Sequence, residues 1–300
     1  MDLHYLKLFN VLAAELSFSK AANMLYISQP AVSMQIKKLE NDLGCKLFNK
    51  VGKHLYLSES GKLLYEYTRR IFTLVEEAER NIYSSNGVIK GTINIGASNT
   101  PGTYILPRIL GEFKEMYPEV DANLHIANTY EIERLIFENS VDFAVNGGEI
   151  LYSSVLCVEK LVDDEVVFIA SPGNRLLELE NVEISDLVGC KYIVHERNSQ
   201  IYKIVEDILY ELDLPLNINM KLGSIDAIKQ AVSAGLGISI IPRSAIKNEL
   251  KFGLLKEFRV NGKEWRYPYK LIYHKNRQLS YAAAELIKLI RERISLINNK

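Results

Sequence analysis

The stretch FSKAANMLYISQPAVSMQIKKLENDLGCKLF, from Phe18 to Phe48, combines small residues at regular intervals with a cluster of lysines. Ala21, Ala22 and Leu25 form the inward face of a predicted helix for which Ser19 is placed as the cap, and Ser28 is placed to cap the next, which carries Val32, Ile36 and Leu39 inward. Pro30 stands two places after that cap, where a missing N–H costs nothing. Only Tyr26 and Ile27 separate the two helices. So short a connection, with alanines where the backbones must approach, is what a helix-turn-helix requires.

The segments on either side complete a small module. Leu3, Leu6, Phe9, Val11, Leu12 and Leu16 recur at helical spacing and predict a helix from about residue 2 to 15. After Gly44, residues 46–57 alternate around Val51–Gly52, the pattern of a β-hairpin or wing. Between Lys20 and Lys53 stand six lysines against Glu40 and Asp42, although the 300-residue chain carries a net charge of −1. A basic module on an acidic body seeks a polyanion. In such an arrangement the second helix of the pair enters the major groove of DNA, where glutamine and serine reach base edges and lysines take phosphates.

From Glu59 to Asn86, Leu64, Tyr67, Ile71, Leu74, Ala78 and Ile82 are spaced three or four apart, which predicts a long helix pairing with its copy. Ser84 to Gly87 read as a stop and a linker. Beyond them, short apolar runs alternate with helical patterns: TINIGAS, YILPRILGEFKEMYP, ANLHIAN, EIERLIFENS, DFAVNGG, and a second set beginning near EVVFIAS. YKLIYHK and a helix from about Ser280 to Ile297 close the chain. This alternation predicts two linked α/β lobes built on parallel sheets, with the ligand crevice outside the carboxyl ends of the strands. The loop Ala97–Ser98–Asn99–Thr100 follows the first strand, Thr129 repeats the arrangement, and both precede helices whose N–H groups suit an anion.

SFSKAANMLYISQPAVSMQIKKLENDLGCKLFNK, together with SESG after it, resembles the N-terminal signature of LysR-type transcriptional regulators, and the resemblance extends over essentially the whole chain. It implies an α/β protein with an α-rich N-terminal part: a winged helix-turn-helix over residues 1–58, a dimerising linker helix over 59–89, and a two-lobed, periplasmic-binding-protein-like effector domain over 90–300. Lobe I then spans about 90–162 and 267–300, and lobe II about 163–266. Ser28, Gln29, Pro30, Ala31, Ser33, Gln35 and Lys38 match the recognition-helix motif, with Lys50 and Lys53 in the wing. Met34 stands where the family commonly has arginine. The resemblance also places Ser98, Asn99, Thr100, Thr129, Asn146, Gly147, the loop from His195 to Ser199, and Ser224 around the cleft, with Arg197 the cation nearest it. GASNTPGTYILPRILGEF is similar to the branch that includes regulators of sulfur or selenium metabolism and of carbon fixation, which suggests a small anion or sulfur metabolite as effector. Expected partners are operator DNA, further copies of the chain in a homodimer or homotetramer, and RNA polymerase if the protein activates.

Other classes lack support in the residues. Cys45, Cys157 and Cys190 form no CxxC pair, which fits a reducing cytoplasm, and the five histidines show no metal-ligand spacing. Neither a nucleophile–base pair nor a cofactor motif is present, so an enzyme is not expected; Gly235–Leu236–Gly237 ends a helix instead of opening one. A solute-binding protein is the alternative reading of the two-lobed half, but the first residues carry no signal-peptide pattern, and no run of about 18 apolar residues suggests a membrane span. Replacing Lys50 with alanine is expected to weaken binding to all DNA sequences and to reduce the slope of log affinity against log salt by about one. Replacing Gln29 should instead lower only the ratio of specific to random binding; titrations over a salt series separate the two.

Overall fold

The computed structural model describes residues 2–52, 54–84, 90–152, 154–275, 277 and 279–295. Lys53 falls outside them. Two compact units are present, Met1–Asn86 with Glu138–Ser140, and Gly87–Phe137 with Val141–Lys300.

The first unit opens with three helices, α1 (Leu3–Glu15), α2 (Phe18–Met24) and α3 (Gln29–Leu43). Asp2 caps α1 and Ser28 caps α3, each accepting a backbone N–H in the first turn. The cap of α2 is Ser17, not Ser19: Ser17 has extended backbone and its hydroxyl accepts from Lys20 N. Ser19 already lies inside the helix, and its hydroxyl donates across the turn to Gln29 Oε1 at 3.0 Å. Ala21 and Ala22 are buried with Phe9, Leu12, Val32, Ile36 and Leu39 in a single small core. A bulkier residue at either alanine would push apart helices whose crossing angle depends on close approach. Gly44, at φ +68°, ends α3, and the antiparallel hairpin β1 (Phe48–Val51) and β2 (His54–Leu57) follows.

Helix α4 (Glu59–Ser84) begins at Ser58, whose hydroxyl accepts from Gly61 N at 2.9 Å. Its apolar residues do not form the single outward seam expected from their spacing. Leu64, Tyr65, Ile71 and Phe72 pack on the core of the first unit, and Thr68 donates a hydrogen bond to Asn10 of α1. Leu63, Tyr67, Leu74 and Ala78 lie exposed. The side chain of Ile82 is outside the described residues. On a 3.6-residue helix, positions 63, 64, 67, 71, 74 and 78 fall within one arc of about 100°, with 64 and 71 at one edge, so the core of the first unit covers that edge of the apolar stripe and leaves the other open.

The second unit contains β3 (Gly91–Ser98), α5 (Asn99–Tyr104), α6 (Leu106–Met116), β4 (Val120–Ala127), α7 (Thr129–Phe137), β5 (Phe143–Gly147) and β6 (Leu156–Ala170). It continues through β7 (Tyr192–His195), α8 (Gln200–Glu211), β8 (Ile218–Leu222), α9 (Ile225–Ser233), β9 (Ser239–Pro242), α10 (Lys247–Lys251), β10 (Lys256–Phe258), β11 (Trp265–His274) and α11 (Tyr281–Ile294). The expected two parallel sheets are replaced, among the described residues, by one mixed seven-stranded sheet in the order β10-β6-β11-β5-β3-β4, with β9 also on β6, and by a small parallel pair β7-β8. β3, β4 and β5 run parallel, whereas β11 is antiparallel to both β5 and β6. The 15 residues of β6 pair with β11 over most of their length and with β9 and β10 at the far end. Two long strands therefore run through both lobes, so the lobes share one hydrogen-bonded ladder and one core.

A Cβ added at Gly61 would lie 2.0 Å from Leu47 O. Gly61→Ala should therefore lower the stability of the first unit by about 1–3 kcal/mol, as overpacking against fixed backbone does, and its melting temperature by several degrees; thermal unfolding followed by circular dichroism checks this.

Candidate functional site

One face of α3 is turned outward. Ser28, Gln29, Pro30, Ser33, Met34 and Lys38 are exposed, while Val32, Ile36, Leu39 and Glu40 are buried on the opposite side. Ala31 and Gln35 are half-buried, and Gln35 Oε1 is buried without a hydrogen-bond partner. Gln29 is held by Ser19, and Lys38 Nζ sits 2.9 Å from Tyr5 Oη on α1. Neither tether could be read from the recognition helix alone, since both partners come from other helices. Met34 is 69% exposed, so an uncharged thioether occupies the centre of this face. Lys50 lies exposed on β1, opposite Leu55 in the hairpin register.

Glu40 fixes the angle between this helix and the hairpin. Its carboxylate accepts from Leu47 N at 2.9 Å and Phe48 N at 3.4 Å, and its other oxygen takes Lys46 Nζ at 2.7 Å. Burial pushes the carboxyl up, but the Lys46 bond and the two amides outweigh it and hold the group below its ordinary value.

In the second unit, a narrow cleft is lined by Ser98, Asn99, Thr100, Asn128, Thr129, His195, Ser199, Gln200, Ile201, Ile225 and Tyr267. The strand ends of β3 and β4 supply one wall, β7 with the starts of α8 and α9 the other, and Tyr267 of β11 joins them. Of the residues expected here, Ser98, Asn99, Thr100, Thr129, His195 and Ser199 are in place.

Asn146 and Gly147 stand behind the wall instead of in it. Gly147 N donates to Ser98 Oγ at 2.9 Å, Thr129 Oγ1 donates to Gly147 O at 3.4 Å, and Asn146 Nδ2 donates to Thr129 O at 3.3 Å. These bonds lock the two loops together. Arg197 and Ser224 are not in the lining: Arg197 is exposed, and the exposed Ser224 accepts from Ala227 N as the cap of α9. Their neighbours Ser199 and Ile225 take the places facing the cleft.

The lining residues missed by sequence reasoning fall into two kinds. Asn128, Gln200, Ile201 and Ile225 each adjoin a predicted cap or helix start and were within reach of the same argument. Tyr267 was not, because only the pairing of β11 with β5 and β6 brings it here.

Electrostatically the lining holds no Lys, Arg, Asp or Glu. It is instead the meeting place of four helix starts, those of α5, α7, α8 and α9. Unpaired N–H groups and the positive ends of helix dipoles favour an anion. Burial holds the His195 imidazole below its ordinary value against the opposing pull of the Glu196 carboxylate, which favours the neutral ring. On either flank the lobes meet through polar contacts: Tyr104 Oη donates to Asp226 Oδ1 at 2.8 Å, and Lys203 Nζ reaches Glu149 Oε2 at 2.7 Å.

Residues 3–62 match the family described as "Bacterial regulatory helix-turn-helix protein, lysR family", and residues 86–295 match "LysR substrate binding domain". The chain belongs to the LysR family. Similar relatives include the "Probable RuBisCO transcriptional regulator" of Cyanophora paradoxa, 36% identical over 287 residues covering 94% of this chain and 89% of that protein. The protein of the same name from Synechocystis is 35% identical, over 98% of this chain and 86% of its own length. Among solved structures, full-length OxyR from Pseudomonas aeruginosa superimposes with a TM-score of 0.72 at 18% identity, over 99% of this chain and 95% of OxyR. CbnR complexed with its target DNA gives 0.71 at 18% identity, over 98% and 100%. The regulatory domain of Synechocystis CcmR in complex with 2-PG gives 0.62 at 23%, over 68% and 98%.

This LysR-type protein is thus a DNA-binding transcriptional regulator with an effector-binding domain, and not an enzyme. Among the described residues no helix is long and apolar enough to cross a membrane, and no group of three or more His, Cys, Asp or Glu is placed to hold a metal.

Glu40 gives the DNA-binding unit a defined acid limit. Because its folded-state pKa lies below the ordinary 4.5, its contribution is complete above that value and is lost as pH falls below it. Glu40→Gln should cost about 1 kcal/mol near neutrality and should remove this part of the acid destabilisation, as urea unfolding of the full chain at a series of pH values will show.

Proposed function

We propose that this regulator binds operator DNA with residues 1–58, pairs with a second copy through α4 in the 59–89 linker, and senses a small anionic metabolite in the cleft of residues 90–300. Gln29 and Ser33 would meet base edges, Lys50 a phosphate, and Lys38 a phosphate only on leaving Tyr5. Met34 makes the centre of the reading surface apolar, which suits contact with a thymine methyl better than with guanine. The stripe of Leu63, Tyr67, Leu74 and Ala78 is the surface a partner helix would cover, in a homodimer or a tetramer built from dimers.

The observation that carries the effector reading is the convergence of four helix starts on a cleft without a charged lining residue. CcmR, of the same fold, is complexed with 2-PG, and the relatives named as RuBisCO regulators support an effector drawn from carbon metabolism. An anion at the helix starts would contact both walls at once and so favour one arrangement of the lobes over another. Only such differential affinity can shift the spacing of two recognition helices on DNA.

DNA footprinting of the full-length protein, with and without 2-PG, tests the coupling. The expected result is a change in the length or bend of the protected site; a footprint and bend that do not respond to any small anion would refute the proposed mechanism.

A further inference from the structure

Two largely buried polar side chains in the cleft each present a donor for which no acceptor is seen among the described residues. Tyr267 is 4% exposed, and among the described residues its hydroxyl makes no hydrogen bond. Its ring lies flat against Gly147, where an added Cβ would come within 2.4 Å of Tyr267 Cε1 and 2.6 Å of its Oη. The T-shaped contact with Tyr269, centroids 5.5 Å apart, fixes it from the other side. His195 is 6% exposed. Its Nδ1 accepts the Glu196 N–H at 2.9 Å, so in the neutral ring the hydrogen is on Nε2, for which no acceptor is seen among the described residues. Both donor atoms open onto the cleft and are not sealed from it, so water or an oxygen of a bound ligand can accept from them.

We infer that Tyr267 and His195 are ligand-contacting residues that set the specificity of the cleft, each donating one hydrogen bond to an oxygen of a bound carboxylate or phosphate that carries no ammonium group. The inference rests on the effector reading of this cleft. Its selectivity follows from chemistry the lining lacks. With no Asp or Glu among the lining residues, an amino acid or polyamine would bury its ammonium without a carboxylate to pair with. With no Lys or Arg, the anion is recognised by neutral donors and helix ends, whose direction selects for oxygen geometry more than for total charge. The two donors reach the ligand from different structural bodies, Tyr267 from the long strand shared by the lobes and His195 from the end of β7. A ligand taking both therefore bridges them. Through its ring contact with Tyr269, Tyr267 also touches a buried polar cluster: Tyr269 Oη donates to Asp164 Oδ2 at 2.8 Å, and Asp164 accepts from Ser244 N.

Calorimetric titration of the full-length protein with 2-PG, inorganic phosphate and glycine tests this. Wild type should bind at least one of the two anions and show no heat with glycine. Tyr267→Phe, which removes one oxygen and keeps the ring on Gly147, should weaken anion binding roughly tenfold or more, the usual effect of deleting a hydrogen bond to a charged group. His195→Leu should do the same, while His195→Gln, which keeps an N–H donor, should recover part of the loss. In a nitrogen-15 spectrum of the histidine rings, the Nε2–H signal of His195 should move when the anion is added. Wild-type affinity in both Tyr267→Phe and His195→Leu would overturn the inference and leave the anion reading intact. Binding of glycine as tight as that of the anions would overturn the selectivity. Failure of wild type to bind either anion would overturn the effector reading and this inference with it.

Discussion

The antiparallel pairing of β6 with β11 holds the effector domain together. From Leu156↔His274 to Val166↔Trp265 the two strands form one ladder, and β5, β9 and β10 attach to it at different points. Through that ladder the two lobes are joined by backbone hydrogen bonds as well as by chain connections. A register shift between Tyr269 and Lys270 marks a place where the ladder already departs from regularity. Irregularities of this kind bend a strand and increase its local twist. The buried Asp164–Tyr269–Ser244 cluster lies beside it, so hydrogen bonds brace the ladder at this point.

The cleft inherits its chemistry from that geometry. Parallel strands β3 and β4 end at the same level, and the helices that follow must begin there, so their N-terminal N–H groups point into one space. Several residues that cap or brace those helices also line the cleft. Ser98 and Thr129 are fixed by Gly147, and Ser199 accepts from Tyr202 N at 3.0 Å while remaining on the wall. Rigidity of this sort is useful in a sensor: donors that need no rearrangement lose little entropy on binding, and the affinity is then spent on the arrangement of the lobes.

In the DNA-binding unit the same economy of parts is seen at smaller scale. Glu40 joins the end of α3 to the base of the hairpin, Ser19 joins α2 to the start of α3, and Tyr5 joins α1 to Lys38. Each contact sets where one element of the reading surface stands relative to the others. Specific recognition depends on such placement, because phosphate attraction alone is sequence-independent.

The helix-turn-helix was legible in the sequence because its signals are local: apolar spacing, buried alanines, Ser28 with Pro30, and Gly44 as a stop all act within one or two turns. Even there the cap of α2 was misplaced by two residues, since Ser17 and Ser19 are equivalent candidates until backbone conformation separates them. The alternation of strands and helices likewise revealed two α/β lobes, and strand ends followed by helix starts located most of one cleft wall. What the tertiary structure alone decided was non-local. Strand partners set the mixed sheet, pairing of β11 carried Tyr267 into the cleft, and packing on the first unit covered one edge of the α4 stripe and left the other open. Arg197 and Ser224 turned outward for the same reason: a residue's place in the chain fixes which helix it caps, but the side it faces is set by what that helix packs against.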